Sequence, residues 1–185
     1  MFKQHSTATA PEESRSGLEA VNNALGFVPN LFATMAESPV ALNGYLGLDA
    51  VLANGTLTAA ERQVVQTAVS SANGCAYCTA AHSTFATRLR APRDAIAAAR
   101  GDGRASDPRT DALVQFIQSV VRTRGHIAPE ELEAFMEAGF TAAQALEVVA
   151  HIGLKTISNY IDGFARIPLD AAFQAWAWHP VPSAA

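Results

Sequence analysis

The chain is punctuated at helical intervals: a capping residue or proline, about three turns of apolar periodicity, then glycine or another proline. Thr58-Ala-Ala-Glu61 is a capping box, and Leu57 is placed to staple the entry. In such a box the hydroxyl accepts from the N3 amide while the carboxylate reaches back to the cap's own amide. The helix it starts carries Val64, Val65, Ala68, Val69 and Ala72 and stops at Asn73-Gly74. Pro92 starts a short Ala-rich helix that ends at Gly101-Asp102-Gly103. Pro108 opens another with Leu113, Phe116, Ile117, Val120 and Val121, and Gly125 stops it. Pro129 begins a short element ending at Gly139. Thr141 then caps a long one whose apolar set is Leu146, Val149, Ile152, Leu154, Ile157 and Ile161. Upstream, Val21, Leu25 and Val28 predict a short helix ending near Gly26, and Pro29 admits a turn carrying Leu31, Phe32 and Met35. Pro39 opens an element with Leu42, Tyr45, Leu46 and Leu48, or Val51 and Leu52, directed inward. Proline is preset for a first helical turn and glycine for the left-handed residue after the last one. With no alternating strand pattern beside these signals, the expected fold class is all-α.

A length of 185 residues suits one well-filled core. The expected organisation is a flexible N-terminal segment at 1–14, a single helical domain at 15–179 and a loose C-terminal tail at 180–185. The stretches 58–90 and 108–162 read as two helical halves without an internal repeat. A net charge of −4 with no Lys/Arg tract argues against nucleic acid or an anionic membrane as partner. No apolar run approaches the roughly 20 residues that span a bilayer, and the first residues lack the apolar core of a secretory signal. A cytoplasmic setting is the expectation. Hydrophobic residues make up 49% and charged ones 16%, a balance that points to surface hidden in subunit contacts.

The chemistry lies in Cys75-Ala-Tyr-Cys78 and His82, which hold the chain's only two cysteines. Spacings of three and four place all three on one stripe of a helix. In a reducing compartment a CxxC is more often redox-active or metal-binding than structural. A thiolate attacks a peroxide or disulfide and is resolved by a second thiol within reach. Helix polarity favours thiolate at Cys75, while His82 is placed to take the proton of Cys78 or to stabilise its thiolate as imidazolium. A zinc reading would take Cys75, Cys78 and His82 as ligands with His151, Glu147 or water as the fourth, but no second CxxC accompanies them. His5, His126 and His179 read as surface or cap residues, and Lys155, Asn159 and Tyr160 as packing and polar-network residues.

The run from Leu57 through Glu61, Gln63 and Asn73-Gly74-Cys75-Ala-Tyr-Cys78 to His82-Ser83 resembles the core motif of the carboxymuconolactone decarboxylase family. More particularly it resembles the alkylhydroperoxidase D-like, peroxidase-related branch. The likeness continues through Leu113–Phe116, Val120–Gly125, Phe135–Phe140, Ala145–Val149 and Lys155–Tyr160. The resemblance implies an alkylhydroperoxidase D-like helical bundle, commonly a trimer or hexamer. It also implies a peroxiredoxin-type thiol peroxidase that needs no cofactor. Cys78 would attack hydrogen peroxide or an organic hydroperoxide, Cys75 would resolve it, and a thioredoxin-like or lipoyl-bearing reductant would restore the dithiol. Family members carry a relay glutamate where this chain has Gln63, an amide that cannot exchange a proton at neutral pH. Glu61, about 200° around the helix from that position, and the pair Glu147 and His151 are the other relay candidates. A carboxymuconolactone decarboxylase-like lyase and a non-catalytic redox sensor are the alternatives.

Overall fold

The computed structural model describes residues 2–180, so the expected loose tail lies, beyond Pro180, outside the described residues. The helices are α1 (Glu12–Leu25), α2 (Asn30–Met35), α3 (Pro39–Leu52), α4 (Ala59–Ala72) and α5 (Ala76–Arg88). They continue as α6 (Arg93–Ala99), α7 (Pro108–Thr123), α8 (Pro129–Glu137) and α9 (Ala142–Ala165), followed by a 3₁₀ turn at Ala171–Trp176. There is no strand among the described residues, and the fold is an all-α bundle.

The boundaries follow local chemistry. Thr58 Oγ1 accepts from Glu61 N at 3.2 Å and Glu61 returns to Thr58 N at 2.8 Å, so the capping box is complete at the start of α4. Gly74 has φ +70°, a left-handed residue that turns the chain from α4 into α5. Without that reversal the two helices would not lie side by side as they do. Asp107 caps α7 through Thr110 N, and Thr141 with Gln144 forms the box that starts α9.

The N-terminal segment, expected to be flexible, packs down instead. His5 N donates to Ala33 O, the His5 ring bonds Thr9 O and Glu37, and Ala10 is buried. Helix α1 begins at Glu12, well before Val21, because Ser14 and Leu18 share its buried face and Ser14 Oγ donates to Ala36 O. A short polar residue with a backbone acceptor can be buried without loss; periodicity of large apolar residues does not reveal it.

Two apolar clusters form the core, and they do not coincide with the two sequence stretches. One joins α1, α2 and α3 to the start of α5, the second half of α9 and the 3₁₀ turn, through Leu18, Leu42, Tyr45, Cys78, Leu154 and Phe173. The other joins α4, α6, α7 and α8 to the first half of α9, through Val65, Val69, Leu113, Ile117, Phe135 and Val148. Each fully buried Leu or Ile contributes about 1.5–3 kcal/mol relative to exposure. Helix α9, 24 residues long, runs through both clusters. It thereby carries one continuous face past the dithiol. Not all of its expected apolar set faces inward: Leu146 is 73% exposed, and Val149, Ile157, Tyr160 and Phe164 are exposed with it. Val51 of α3 is likewise exposed. No described helix is long and apolar enough to cross a membrane.

Candidate active site

Cys75 is the N-cap of α5, the position usually held by Ser, Thr, Asp or Asn. Its sulfur accepts from Cys78 N at 3.2 Å, doing for the orphan amide what a hydroxyl would do. The three-residue spacing therefore fixes the first sulfur against the amide of the second cysteine. Both cysteines are free thiols and both are buried.

The two thiols differ in electrostatics. Cys75 donates to Asp162 Oδ2 at 3.2 Å. It is held firmly protonated by its hydrogen bond toward Cys78, by burial, and by the negative charge of Cys78 and Asp162. Burial also opposes ionisation of Cys78, but the hydrogen bond from Cys75, the Lys155 ammonium and the Asn159 amide outweigh it and lower the thiol to about 6. Helix polarity alone favours Cys75, the first thiol. The carboxylate facing it and the cation beside its partner reverse that preference.

The cation is Lys155, a fully buried lysine on α9. Its Nζ lies 2.7 Å from His82 Nε2 and donates to Tyr45 Oη at 3.2 Å. Burial disfavours the charged form, yet the negative charge of Cys78 foremost raises its pKa above the ordinary lysine value. An ammonium stripped of water persists where an anion accompanies it. Here that anion is the Cys78 thiolate.

His82 does not play the part of imidazolium. Burial, Lys155 and His151 hold its pKa well below the usual histidine value, so the ring is neutral. Nε2 faces the Lys155 ammonium and accepts from it; Nδ1, 2.9 Å from Gln63 Oε1, carries the proton and donates to the amide. Gln63 thus fixes the tautomer of His82. With both ring nitrogens engaged and an ammonium alongside, His82 is not available to a cation. Among the described residues no three His, Cys, Asp or Glu side chains gather in a group that could hold a metal.

The remaining relay candidates lie elsewhere. Glu61 completes the α4 capping box and pairs with Arg109 at 3.3 Å. Glu147 accepts from Thr56 N, Thr56 Oγ1 and Leu57 N, and so anchors the loop before α4. Gly55 suits this contact, since a Cβ there would meet Glu147 Oε2 at 2.8 Å. His151 is buried, with Nδ1 3.4 Å from Gln66 Nε2 and Nε2 unpartnered. None of these three makes a hydrogen bond to either sulfur.

Lys155, Ser158, Asn159 and Asp162 are the residues that a reading of the CxxC helix alone misses. Cys78 Sγ lies 3.9 Å from Ser158 Oγ, and Asn159 bridges Ser70 and Asn73 behind the dithiol. With His151 they recur at steps of four, three, one and three along α9. That is a polar stripe on one face of an otherwise apolar helix, and it was the available signal.

A small apolar cavity of about 40 Å³ touches Cys78, walled by Leu31, Phe32, Tyr45, Tyr77, Phe85 and Phe173 with His82. About 10–15 Å³ suffices for one water, so the space suits a peroxide head group. Phe32, Tyr45, His82 and Phe85 also border a larger groove of about 680 Å³ that runs past Leu25, Asp49, Gln63 and Arg88. The wall is tied in place: Tyr77 Oη bonds Asp170, its ring packs edge-on to Phe173, and Phe173 packs on Phe85. On the other side of the dithiol, a groove of about 570 Å³ is bordered by Gly74, Ala76, Asp162, Arg166 and Trp178.

Residues 39–112 match the model of the carboxymuconolactone decarboxylase family. This segment includes the dithiol, His82 and Gln63 but not α9. Among solved structures, the chain is similar to the alkylhydroperoxidase AhpD core of an uncharacterized peroxidase-related protein from Ralstonia eutropha JMP134. That match has 26% identity over 93% of each chain and a TM-score of 0.84. A peroxidase-related protein from Silicibacter sp. TM1040 shares 22% identity over 88% of this chain and 87% of that one, with a TM-score of 0.77. The debrominase Bmp8 shares 22% identity over 95% of both chains, with a TM-score of 0.79. The last two likenesses show the fold alone. No curated protein sequence is a significant match.

Proposed function

We propose, from the match of residues 39–112 to the carboxymuconolactone decarboxylase family and the likeness of the fold to an alkylhydroperoxidase AhpD core, that the chain is a member of the peroxidase-related branch of that family and that its buried dithiol reduces hydroperoxides through a thiol–disulfide cycle. The observation that carries this reading is the asymmetry of the pair. Cys78 has a thiol lowered to about 6 beside Lys155 and a cavity, while Cys75 is kept protonated with its sulfur against the Cys78 amide.

In the cycle the Cys78 thiolate attacks the terminal peroxide oxygen and the O–O bond breaks. Cys78 becomes a sulfenic acid, and the departing oxygen takes a proton from the Lys155 ammonium to leave as water or alcohol. Cys75 then attacks Cys78, forming the S–S bond and expelling water. A thioredoxin-like or lipoyl-bearing dithiol supplies the two electrons that reopen the disulfide. His82 orients Lys155 from the side and Gln63 holds His82 in the required tautomer; the missing relay glutamate is replaced by a buried ammonium that stabilises thiolate directly. Self-association as a trimer or hexamer is part of the reading, and the exposed apolar stripe on α9 is the surface that favours it.

Stopped-flow oxidation of the reduced protein by hydrogen peroxide and by cumene hydroperoxide tests the proposal. Fast oxidation is expected, abolished by Cys78→Ser and stopping at the sulfenic acid in Cys75→Ser. Oxidation no faster than that of a free small-molecule thiol would contradict it.

A further inference from the structure

We propose that Asp162 is the catalytic base of the resolving half-reaction, taking the Cys75 proton as Cys75 attacks oxidised Cys78. The inference deepens the peroxidase reading and rests on it for the identity of the oxidant, but not for the role of the carboxylate.

In the reduced site the single Cys75 S–H has two acceptors, Asp162 Oδ2 at 3.2 Å and the Cys78 thiolate. Oxidation of Cys78 removes the second, because a sulfenic sulfur no longer carries the negative charge. Asp162 is then the acceptor that remains. Its carboxylate is held in position from behind by Ile167 N, which donates to Oδ1 at 3.2 Å and leaves Oδ2 for the thiol. Cys75 itself is buried, whereas Asp162 borders the groove formed with Gly74, Ala76, Arg166 and Trp178. The carboxyl group therefore connects a sealed thiol to a solvent-facing cleft, on the side of the dithiol away from the apolar cavity.

The step balances without a further reactant. Asp162 carboxylate takes the Cys75 proton; the Cys75 sulfur forms a bond to Cys78 as the S–O bond breaks. The expelled hydroxide receives a proton from solvent and leaves as water. Asp162 then releases its proton into the cleft. Burial raises the Asp162 pKa, which makes the carboxylate a better match for a thiol. The charged and titratable groups around it are Cys75, Tyr77 and Cys78 from the start of α5, Arg166 at the end of α9, and His179 from the C-terminal segment.

Asp162→Asn keeps an acceptor for Ile167 N but cannot take a proton. Two single-turnover experiments on the full-length protein read the step. In one, hydrogen peroxide oxidises the dithiol and dimedone traps unresolved sulfenic acid. In the other, methyl methanethiosulfonate places a methylthio group on Cys78, and mass spectrometry follows its displacement by Cys75. Asp162→Asn is expected to slow resolution at least tenfold at pH 7 in both, measured against the rate of Cys78 oxidation in the same variant. The deficit is expected to shrink as pH rises and hydroxide replaces the carboxylate. In Asp162→Ala, formate added to the solution is expected to restore part of the rate. Resolution unchanged in the variants, or slowed by one factor at every pH with no rescue, would overturn the proposal. If hydrogen peroxide leaves Cys78 unoxidised while the methylthio arm shows the pH-dependent deficit, the peroxidase reading fails and the role of Asp162 stands.

Discussion

The Lys155 ammonium, wholly buried, stands 2.7 Å from His82 Nε2. This contact assigns the charges at the site: the cation is the lysine, the imidazole is neutral, and the anion that both accommodate is the Cys78 thiolate. Each prediction below separates one of these groups from the others.

Gln63 is a positioning residue whose amide oxygen receives the His82 Nδ1 proton. Gln63→Leu leaves that proton without a partner in a largely buried setting, which costs about 1–3 kcal/mol of stability. The Cys78 thiol is expected to stay near its lowered value of about 6, because the amide is not among the groups that lower it. Chemical denaturation together with thiolate absorbance checks both halves. A thiol that returned to the ordinary range in this variant would show that Gln63 acts electrostatically.

His151 gives the fold a specific acid sensitivity. Burial first, then Arg62, lowers its pKa to about 4 from the ordinary 6.5. The unfolded chain therefore binds a proton below pH 6.5 that the folded chain refuses until about pH 4. Stability is unaffected above that window and falls as pH descends through it, by on the order of 3 kcal/mol in total. Unfolding curves from pH 7 to 4 for the parent and His151→Gln test the sign. The variant should lose less stability on acidification, and parallel curves would contradict the assignment.

The stripe formed by Leu146, Val149, Ile157, Tyr160 and Phe164 follows the helical repeat on the outer face of α9. An apolar stripe of this length on a helix ordinarily marks a contact surface. Leu146→Glu, at the most exposed of the five positions, is expected to reduce the assembled mass measured by light scattering without lowering helical content. An unchanged mass, whether monomeric or assembled, would remove this face from the account.

The helical order was legible because its boundaries are written in local chemistry. Thr58 with Glu61, Asn73-Gly74 and Pro108 each act on backbone groups a few residues away. The dithiol was nameable as a pair for the same reason: three residues separate Cys75 from Cys78, and one helix N-terminus holds both. What stayed hidden depends on pairings across the bundle. Lys155 lies 73 positions from His82, and Asp162 lies 87 from Cys75. Nothing local tells a buried lysine from an exposed one. The four-residue step from His82 to Cys78 suggested an acid–base pair, but His82 turns to Gln63 and Lys155 instead. The polar face of α9 is the one trace of this arrangement in the sequence, and its meaning emerges only when α9 is laid against α5.

The most direct test of the account is the titration of thiolate absorbance at 240 nm in the reduced protein and in Lys155→Met. The parent is expected to show one thiolate forming with a midpoint near pH 6, lost in Cys78→Ser. Lys155→Met, which fills the same space without charge, is expected to move that midpoint up toward the ordinary thiol value of 9.0. At pH 7 that shift lowers reaction with hydroperoxide by about ten- to a hundredfold. A parent thiolate appearing only above pH 8, or a midpoint unmoved by removal of the lysine, would contradict the central claim that Lys155 makes Cys78 the nucleophile.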